Sequence, residues 1–114
     1  MTDKLKATTD ATFAEDVLQA ETPVLVDFWA PWCAQCRTMM PYLETLAEES
    51  GMAIVKLDVQ DNAATANEWD VMTVPALLLF VGGELKERLP GFIPVGKIME
   101  RVAGYLGGED AKLV

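Results

Sequence analysis

Short apolar runs recur along the chain and predict its strands. Three of them are rich in β-branched or aromatic residues, as strands buried on both faces are, and they span 24–29, 53–59 and 75–81. A weaker run at 5–8 predicts a short edge strand. Alternating residues at 84–89 follow the turn residues Gly82 and Gly83, which predicts the return strand of a hairpin.

Segments of helical periodicity separate these strands. Phe13, Val17 and Leu18 share one helical face, and Thr12 with Glu15 three residues later resembles a capping box. We therefore expect a first helix in this part of the chain.

Three further helices are predicted. A long one runs from about residue 33 to 49, with Pro41 inside it and Gly51 at its end. A short one covers 62–69. The last begins near Pro94, since proline suits the first turn of a helix. Its apolar face consists of Val95, Ile98, Met99, Val102 and Leu106.

The predicted order of elements is βαβαβαββα, which indicates an α/β fold with a central mixed sheet flanked by helices. Helical crossovers between buried strands predict parallel pairing, and the hairpin adds an antiparallel strand. The length of 114 residues fits one domain, which we place at 1–108, with a short tail at 109–114.

Composition and charge narrow the function classes. The net charge is −9, so the surface repels phosphate backbones and anionic lipids, and we expect neither nucleic-acid nor membrane binding. The first six residues lack the apolar stretch of a secretory signal, which predicts a cytoplasmic protein. Since no heptad pattern or large apolar surplus is present, we expect a monomer.

The chain contains two cysteines and no histidine. Without histidine, Ser-His and Cys-His nucleophile systems and histidine metal centres are excluded. Two cysteines complete a four-ligand zinc site only with carboxylates or a second chain. The six methionines form no metal-binding repeat, and we expect no metal and no bound cofactor.

Cys33 and Cys36 lie where a buried strand turns into a helix, preceded by Pro31 and Trp32. Cysteines three residues apart on one helical turn can form a disulfide. The helix N-terminus stabilises a thiolate at Cys33, which therefore is the predicted nucleophile, and Cys36 is the resolving thiol. Two alternatives remain open, an inert pair of core cysteines and half of a metal site.

The segment around these cysteines resembles the active-site segment of the thioredoxin family, and the resemblance extends from about residue 5 to 106. The residues that carry it are Asp27-Phe28-Trp29-Ala30-Pro31-Trp32-Cys33, Cys36-Arg37, Pro41, Val55-Lys56-Leu57-Asp58, Val74-Pro75-Ala76-Leu77, Phe80-x-Gly82-Gly83 and Gly91. The resemblance implies the thioredoxin fold and an enzyme that reduces protein disulfides, in electron transport and cell redox homeostasis. It also implies recycling by a flavin-dependent, NADPH-using thioredoxin reductase.

Two further catalytic residues follow from the resemblance. Asp27 is a carboxylate in an apolar strand, so burial should raise its pKa. In the family the matching aspartate lies behind the resolving cysteine and moves its proton, and Lys56 matches the lysine that approaches this aspartate. An exposed edge position for Asp27 and a solvated strand face for Lys56 are the alternatives.

The resemblance also implies a substrate-binding surface. It comprises Trp32, Val74, Pro75 and Gly91, with a cis peptide bond between Val74 and Pro75 that packs against the dithiol. Backbone groups of Val74 would pair with an extended substrate segment. Trp29 is expected to pack under the active-site helix instead.

The residues between the cysteines depart from the family. Ala34 and Gln35 replace the usual Gly-Pro, which restores an N–H donor near the sulfurs and predicts a weaker reductant. A thiol oxidant or disulfide isomerase is therefore one alternative function. A non-catalytic binding module with the same fold is another, because fold does not settle function.

Overall fold

The apolar runs form one five-stranded sheet in the computed structural model, which describes residues 5–106. The order across the sheet is β1-β3-β2-β4-β5. The strands are β1 (Lys6–Ala7), β2 (Val24–Trp29), β3 (Ala53–Asp58), β4 (Ala76–Val81) and β5 (Glu84–Pro90). The central strands β2 and β4 are buried almost throughout, as their unbroken apolar runs predict.

Helices cover both faces of this sheet. They are α1 (Ala34–Ser50), α2 (Ala63–Glu68) and α3 (Val95–Val102), which continues into a 3-10 turn at Ala103–Tyr105. Leu25 and Leu77 belong to the core on the α1 and α3 side, with Met39, Leu43 and Ile98. Val26, Phe28 and Leu78 alternate with them and pack on the other side with Phe13, Val17 and Ala66. The predicted α/β architecture is confirmed.

The direction of β4 corrects the sequence prediction. β1 and β2 both pair parallel with β3, but β4 runs antiparallel to β2 although a helix precedes it. A six-residue strand spans about 20 Å. The 17 residues of α1 return the chain over that distance, whereas the six of α2 cover only about 9 Å. The chain therefore enters β4 at the same end of the sheet at which β3 ends. For this reason β4 runs in the opposite direction to β2.

The first helix also differs from its prediction. It is a short π-helical segment, Ala14–Leu18. The predicted capping box of Thr12 with Glu15 is wrong, because the reciprocal bonds join Thr9 and Thr12. Thr9 N–H donates to Thr12 Oγ1 at 3.0 Å, and Thr12 N–H donates to Thr9 Oγ1 at 3.2 Å. The threonines thus close the turn that leads into the segment.

Opposite β1, the other edge strand of the sheet is β5. It pairs antiparallel with β4, and the register shifts between Leu79 and Phe80. Glu84, Lys86 and Arg88 alternate along the strand as exposed charged residues. The single domain predicted at 1–108 stays a prediction, and its proposed tail at 109–114 lies outside the described residues.

Candidate active site

The turn between β2 and α1 carries the two cysteines. Cys33 N–H donates to the Ala30 carbonyl at 3.0 Å, so a tight turn with Pro31 in it follows the strand. Cys33 then stands at the N-cap of α1, where its Sγ accepts a hydrogen bond from Cys36 N–H at 3.1 Å. The predicted position of Cys33 at a helix N-terminus is confirmed.

Cys33 and Cys36 form a disulfide, with 5.3 Å between their Cα atoms. The bond closes one helical turn, as the spacing predicts. Cys33 is 8% exposed and Cys36 is fully buried, so solvent and partners reach the pair from the Cys33 side. An attacking thiol needs this access, whereas a resolving thiol does not.

Apolar neighbours surround the sulfurs. Ala30 is buried with the two cysteines, and Trp29, Val59 and Val74 pack against this cluster. The sequence predicts Trp29 under the active-site helix and Val74 beside the cysteines, and both side chains pack against this cluster. Val59 was missed. It directly follows β3, whose carboxyl end meets that of the parallel strand β2, and its N–H donates to the Trp29 carbonyl at 2.8 Å.

Arg37 holds the turn together. Its Nη1 donates to the Pro31 carbonyl at 2.6 Å, although the side chain is exposed. The sequence assigns this position no role, because a basic residue after a cysteine is also typical of a solvated helix face. The contact to a backbone carbonyl six residues earlier needs the turn geometry and has no local sequence signal.

The cis peptide bond predicted between Val74 and Pro75 is present. The Pro75 carbonyl accepts a hydrogen bond from Gly91 N–H at 2.9 Å. Gly91 has φ +79°, in the left-handed region that favours glycine, and a Cβ there would meet nothing within 4 Å. The backbone conformation, and not crowding, therefore requires glycine here. The structure thus joins three of the predicted surface residues, while Trp32 extends into solvent.

Asp27 is buried in β2, in register with Lys56 of β3 and Leu77 of β4. Burial raises the pKa of its carboxyl to about 7, against a smaller opposing effect of the Lys56 charge. Among the described residues, neither carboxyl oxygen has a hydrogen-bond partner. The predicted rise in pKa is confirmed, and the exposed edge position is excluded.

Asp27 lies on the α1 side of the sheet. It alternates with Val26 and Phe28, which pack on the opposite side, so its side chain shares the face of Leu25. Cys36 lies on the buried stripe of α1 that packs against this same face. The carboxyl and Cys36 therefore belong to one interface between β2 and α1.

Lys56 is half-buried on this part of β3. Its Nζ lies 5.6 Å from the centre of the Trp29 ring, in cation–π geometry. Lys56 thus lies between the register partner Asp27 and an aromatic ring that packs on the cysteines, which does not fit a fully solvated strand face.

Within residues 5–106, no three cysteine, aspartate or glutamate side chains converge as metal ligands. None of the helices in this range has the length and apolar character needed to cross a bilayer. The site therefore consists of a slightly exposed and a fully buried cysteine, a buried carboxyl of raised pKa, and Val74 with the cis bond to Pro75.

Comparisons with known proteins agree with this geometry. The sequence model of the Thioredoxin family matches residues 4–103. A thioredoxin of Streptomyces clavuligerus is 46% identical over 96 residues, which cover 83% of this chain and 90% of the relative. Thioredoxin C-2 of Corynebacterium nephridii is 47% identical over 93 residues, covering 80% and 86%.

A solved structure shows the same fold. A single-residue mutant of a thioredoxin from Halobacterium salinarum NRC-1 superposes with a TM-score of 0.84 at 35% identity, covering 91% of this chain and 92% of the other.

Proposed function

The chain belongs to the thioredoxin family and is a thiol–disulfide oxidoreductase that acts on protein disulfides, and we propose that Cys33 is its nucleophile. The observation that carries this assignment is the asymmetry of the pair. Cys33 retains 8% exposure and caps α1, whereas Cys36 is fully buried one turn further on. The helix N-terminus favours the thiolate at Cys33.

The reaction proceeds in two exchanges. The Cys33 thiolate attacks one sulfur of the substrate disulfide, the substrate S–S bond breaks, and the other substrate sulfur leaves as a thiolate. Cys36 then loses its proton and attacks Cys33 Sγ in the mixed disulfide. The second substrate sulfur leaves, and the Cys33–Cys36 disulfide forms. The substrate gains the two electrons that the cysteine pair loses, and its two sulfurs take up two protons, equivalent to the one that Cys33 released to solvent as it ionised and the one that Cys36 loses.

Asp27 accepts the proton that Cys36 loses in the second exchange. A carboxyl with a pKa of about 7 exchanges protons readily near neutral pH. Its burial on the face that α1 covers supports this role, with a water molecule or a small shift of α1 completing the path. Lys56 is a positioning residue whose charge opposes the rise in the Asp27 pKa.

The substrate lies against Trp32, Val74, Pro75 and Gly91. The exposed Trp32 ring offers apolar contact, and the backbone of Val74 pairs with an extended segment of the substrate in strand-like fashion. The hydrogen bond between Gly91 and Pro75 supports this surface, since it holds its two loops together.

The oxidised protein is recycled by a flavin-dependent reductase that uses NADPH. We place this cycle in the cytoplasm, with the protein as a monomer that maintains cell redox homeostasis and needs no bound cofactor. Neither an oxidant or isomerase role nor a non-catalytic binding role is favoured by the family relationship.

Dithiothreitol-driven reduction of insulin disulfides tests the assignment. The wild type should accelerate the reaction, and Cys33→Ser should lose the acceleration completely. Cys36→Ser is the matched control, because it retains the nucleophile and should accumulate a mixed disulfide with insulin. A Cys33→Ser variant as fast as the wild type would exclude Cys33 as the nucleophile.

The pH dependence of the second exchange tests Asp27. In the wild type the rate of mixed-disulfide resolution should rise with pH through about 7, as the carboxyl becomes a base. Asp27→Asn should slow resolution by roughly 10²-fold and remove that inflection. Stopped-flow measurement from an isolated mixed disulfide gives the rate, and an unchanged profile in the variant would exclude the role.

A further inference from the structure

An apolar groove lies beside the active site, between α1 and the segment that leads into α3. It has a volume of about 530 Å³, within the range of ligand pockets. Its walls include Thr38, Tyr42 and Leu43 on one side and Phe92, Ile93 and Val95 on the other. None of its lining residues carries a charge, although the chain as a whole carries −9.

Two exposed aromatic residues flank this groove. Tyr42 is 58% exposed and Phe92 is 47% exposed, and they are two of the four large apolar side chains exposed within residues 5–106. Exposed aromatic residues beside an apolar groove are typical of protein-binding surfaces, because a partner's side chain removes them from water. A charged ligand finds no partner here.

Each wall of the groove adjoins a part of the proposed active site along the chain. On α1, Thr38 lies five residues after the N-cap Cys33, and its hydroxyl donates to the Ala34 carbonyl at 3.1 Å. On the other wall, Phe92 follows Gly91, whose N–H binds the Pro75 carbonyl. The groove therefore continues the surface on which the substrate lies, and this continuity identifies its occupant.

We propose that the groove is a subsite for an apolar side chain of the protein substrate, close in sequence to the cysteine that reacts. This inference rests on the proposed function. At 1.5 Å per helical residue, the wall from Thr38 to Leu43 lies about 7 to 15 Å along α1 from Cys33. An extended substrate advances about 3.3 Å per residue, so the apolar side chain lies two to four residues from the substrate cysteine.

Short peptides with one cysteine test the subsite. Each is joined through its cysteine to thionitrobenzoate and carries leucine or serine at one of positions two to four, on either side. With the reduced wild type, kcat/KM should be about tenfold higher for leucine than for serine at one of these positions. In Tyr42→Ser and in Phe92→Ser the ratio should fall to about twofold.

Met72→Ser is the matched control. Met72 is 86% exposed, but it lies outside the groove, so its removal should leave the leucine-to-serine ratio unchanged. Equal loss of the ratio in this variant would overturn the proposal, because the preference would then come from general surface hydrophobicity.

Reduction of dithiobis-nitrobenzoate measures the disulfide exchange alone, because this reagent has no peptide side chain that could enter the groove. Full activity on it, combined with equal rates for leucine and serine peptides, would overturn the subsite alone. No activity on it in the wild type would overturn the proposed function and the subsite with it. Concentration-dependent dimers in sedimentation that Tyr42→Ser abolishes would assign the groove to a second copy, and would also overturn the proposal.

Discussion

At the scale of single residues, Asp27 opposes the stability of the fold because its carboxyl is buried without a hydrogen-bond partner among the described residues. It lies on the central strand β2 between Lys56 and Leu77, and no described residue hydrogen-bonds its oxygens. Burial of an ionised carboxylate without hydrogen bonds costs free energy, so the folded state retains the proton instead. Buried carboxyl groups whose pKa is raised in this way are typical of catalytic sites.

Asp27→Asn should change how stability depends on pH. The pKa is raised in the folded state to about 7 from 3.8, so between these values the folded protein holds a proton that the unfolded chain lacks. Stability of the wild type therefore falls as pH rises through this window, and the asparagine variant lacks that fall. Its advantage over the wild type should grow by on the order of 4 kcal/mol between pH 4 and pH 8.

Urea unfolding of the oxidised proteins at both pH values measures this difference. Asp61→Asn, at an exposed position in the loop after β3, is the control and should show no such growth. Parallel stability curves for the wild type and Asp27→Asn would contradict the prediction.

Ala34 and Gln35, the two residues between the cysteines, are expected to influence the stability of the Cys33 thiolate. The sequence predicts the N–H of Gln35 near the sulfurs, but the hydrogen bond to Cys33 Sγ comes from Cys36. Gln35 N–H remains one of the first-turn donors of α1, which have no intrahelical acceptor and favour negative charge. Its contribution to the thiolate is therefore through the field of the helix terminus.

Gln35→Pro should make the protein a stronger reductant. Proline removes this donor and is tolerated in the first turn of a helix, so the thiolate loses stabilisation and the disulfide gains. The redox potential should become more negative by roughly 30 mV, a tenfold shift in the equilibrium with glutathione. Ala34→Gly, which keeps the donor, is the control. A potential that stays equal or rises in Gln35→Pro would refute this account.

At the scale of elements, α1 is defined by its two ends. Its N-cap is Cys33, and its C-cap Gly51 has φ +75°, with its N–H donating to the Ala47 carbonyl at 3.0 Å. The left-handed conformation, with nothing within 4 Å of a Cβ, makes the glycine requirement purely conformational. Helix α1 thus begins at a cysteine of the disulfide and ends at a glycine that its backbone conformation requires.

Two glycine substitutions should have opposite effects. Gly51→Ala should destabilise the fold by about 1 kcal/mol, because alanine is strained in the left-handed region. Gly96→Ala, inside α3 with open space around it, should stabilise it by about 0.5–1 kcal/mol. Thermal unfolding of both variants measures the signs, and equal signs would show that the φ at residue 51 does not determine the effect.

The sequence predicted these elements well where the signal is local. The strand at 24–29, the helix that starts at the cysteines, and the buried Asp27 depend on neighbouring residues, and all are confirmed. The direction of β4 was predicted wrongly because crossovers were counted without their lengths, although the short 62–69 segment already indicated the answer. The Arg37 contact to Pro31 depends on tertiary geometry, which no local pattern contains.

At the scale of the whole molecule, net charge should bias the choice of substrates. A chain of charge −9 attracts basic partners and repels acidic ones over the Debye length. Because the groove near Tyr42 and Phe92 is uncharged, this long-range field and the local apolar contact act independently.

Salt should therefore act in opposite directions on charged substrates. For a disulfide peptide flanked by lysines, kcat/KM should fall by roughly threefold to tenfold between about 0.01 M and 0.5 M salt, and for one flanked by glutamates it should rise. Steady-state rates at several ionic strengths measure both. A common direction for the two peptides would show that net charge does not steer encounter.

The edge strand β5 affects whether unfolded segments of a substrate can add to the sheet as a further strand. Reducing a disulfide loosens the client chain and exposes segments that aggregate by adding strands to any open sheet edge. The edge presented here carries Glu84, Lys86 and Arg88, is broken in register at Leu79 and Phe80, and ends at Pro90. A loosened client therefore meets charged side chains, a register shift and a proline along this edge, all of which disfavour the addition of a further strand.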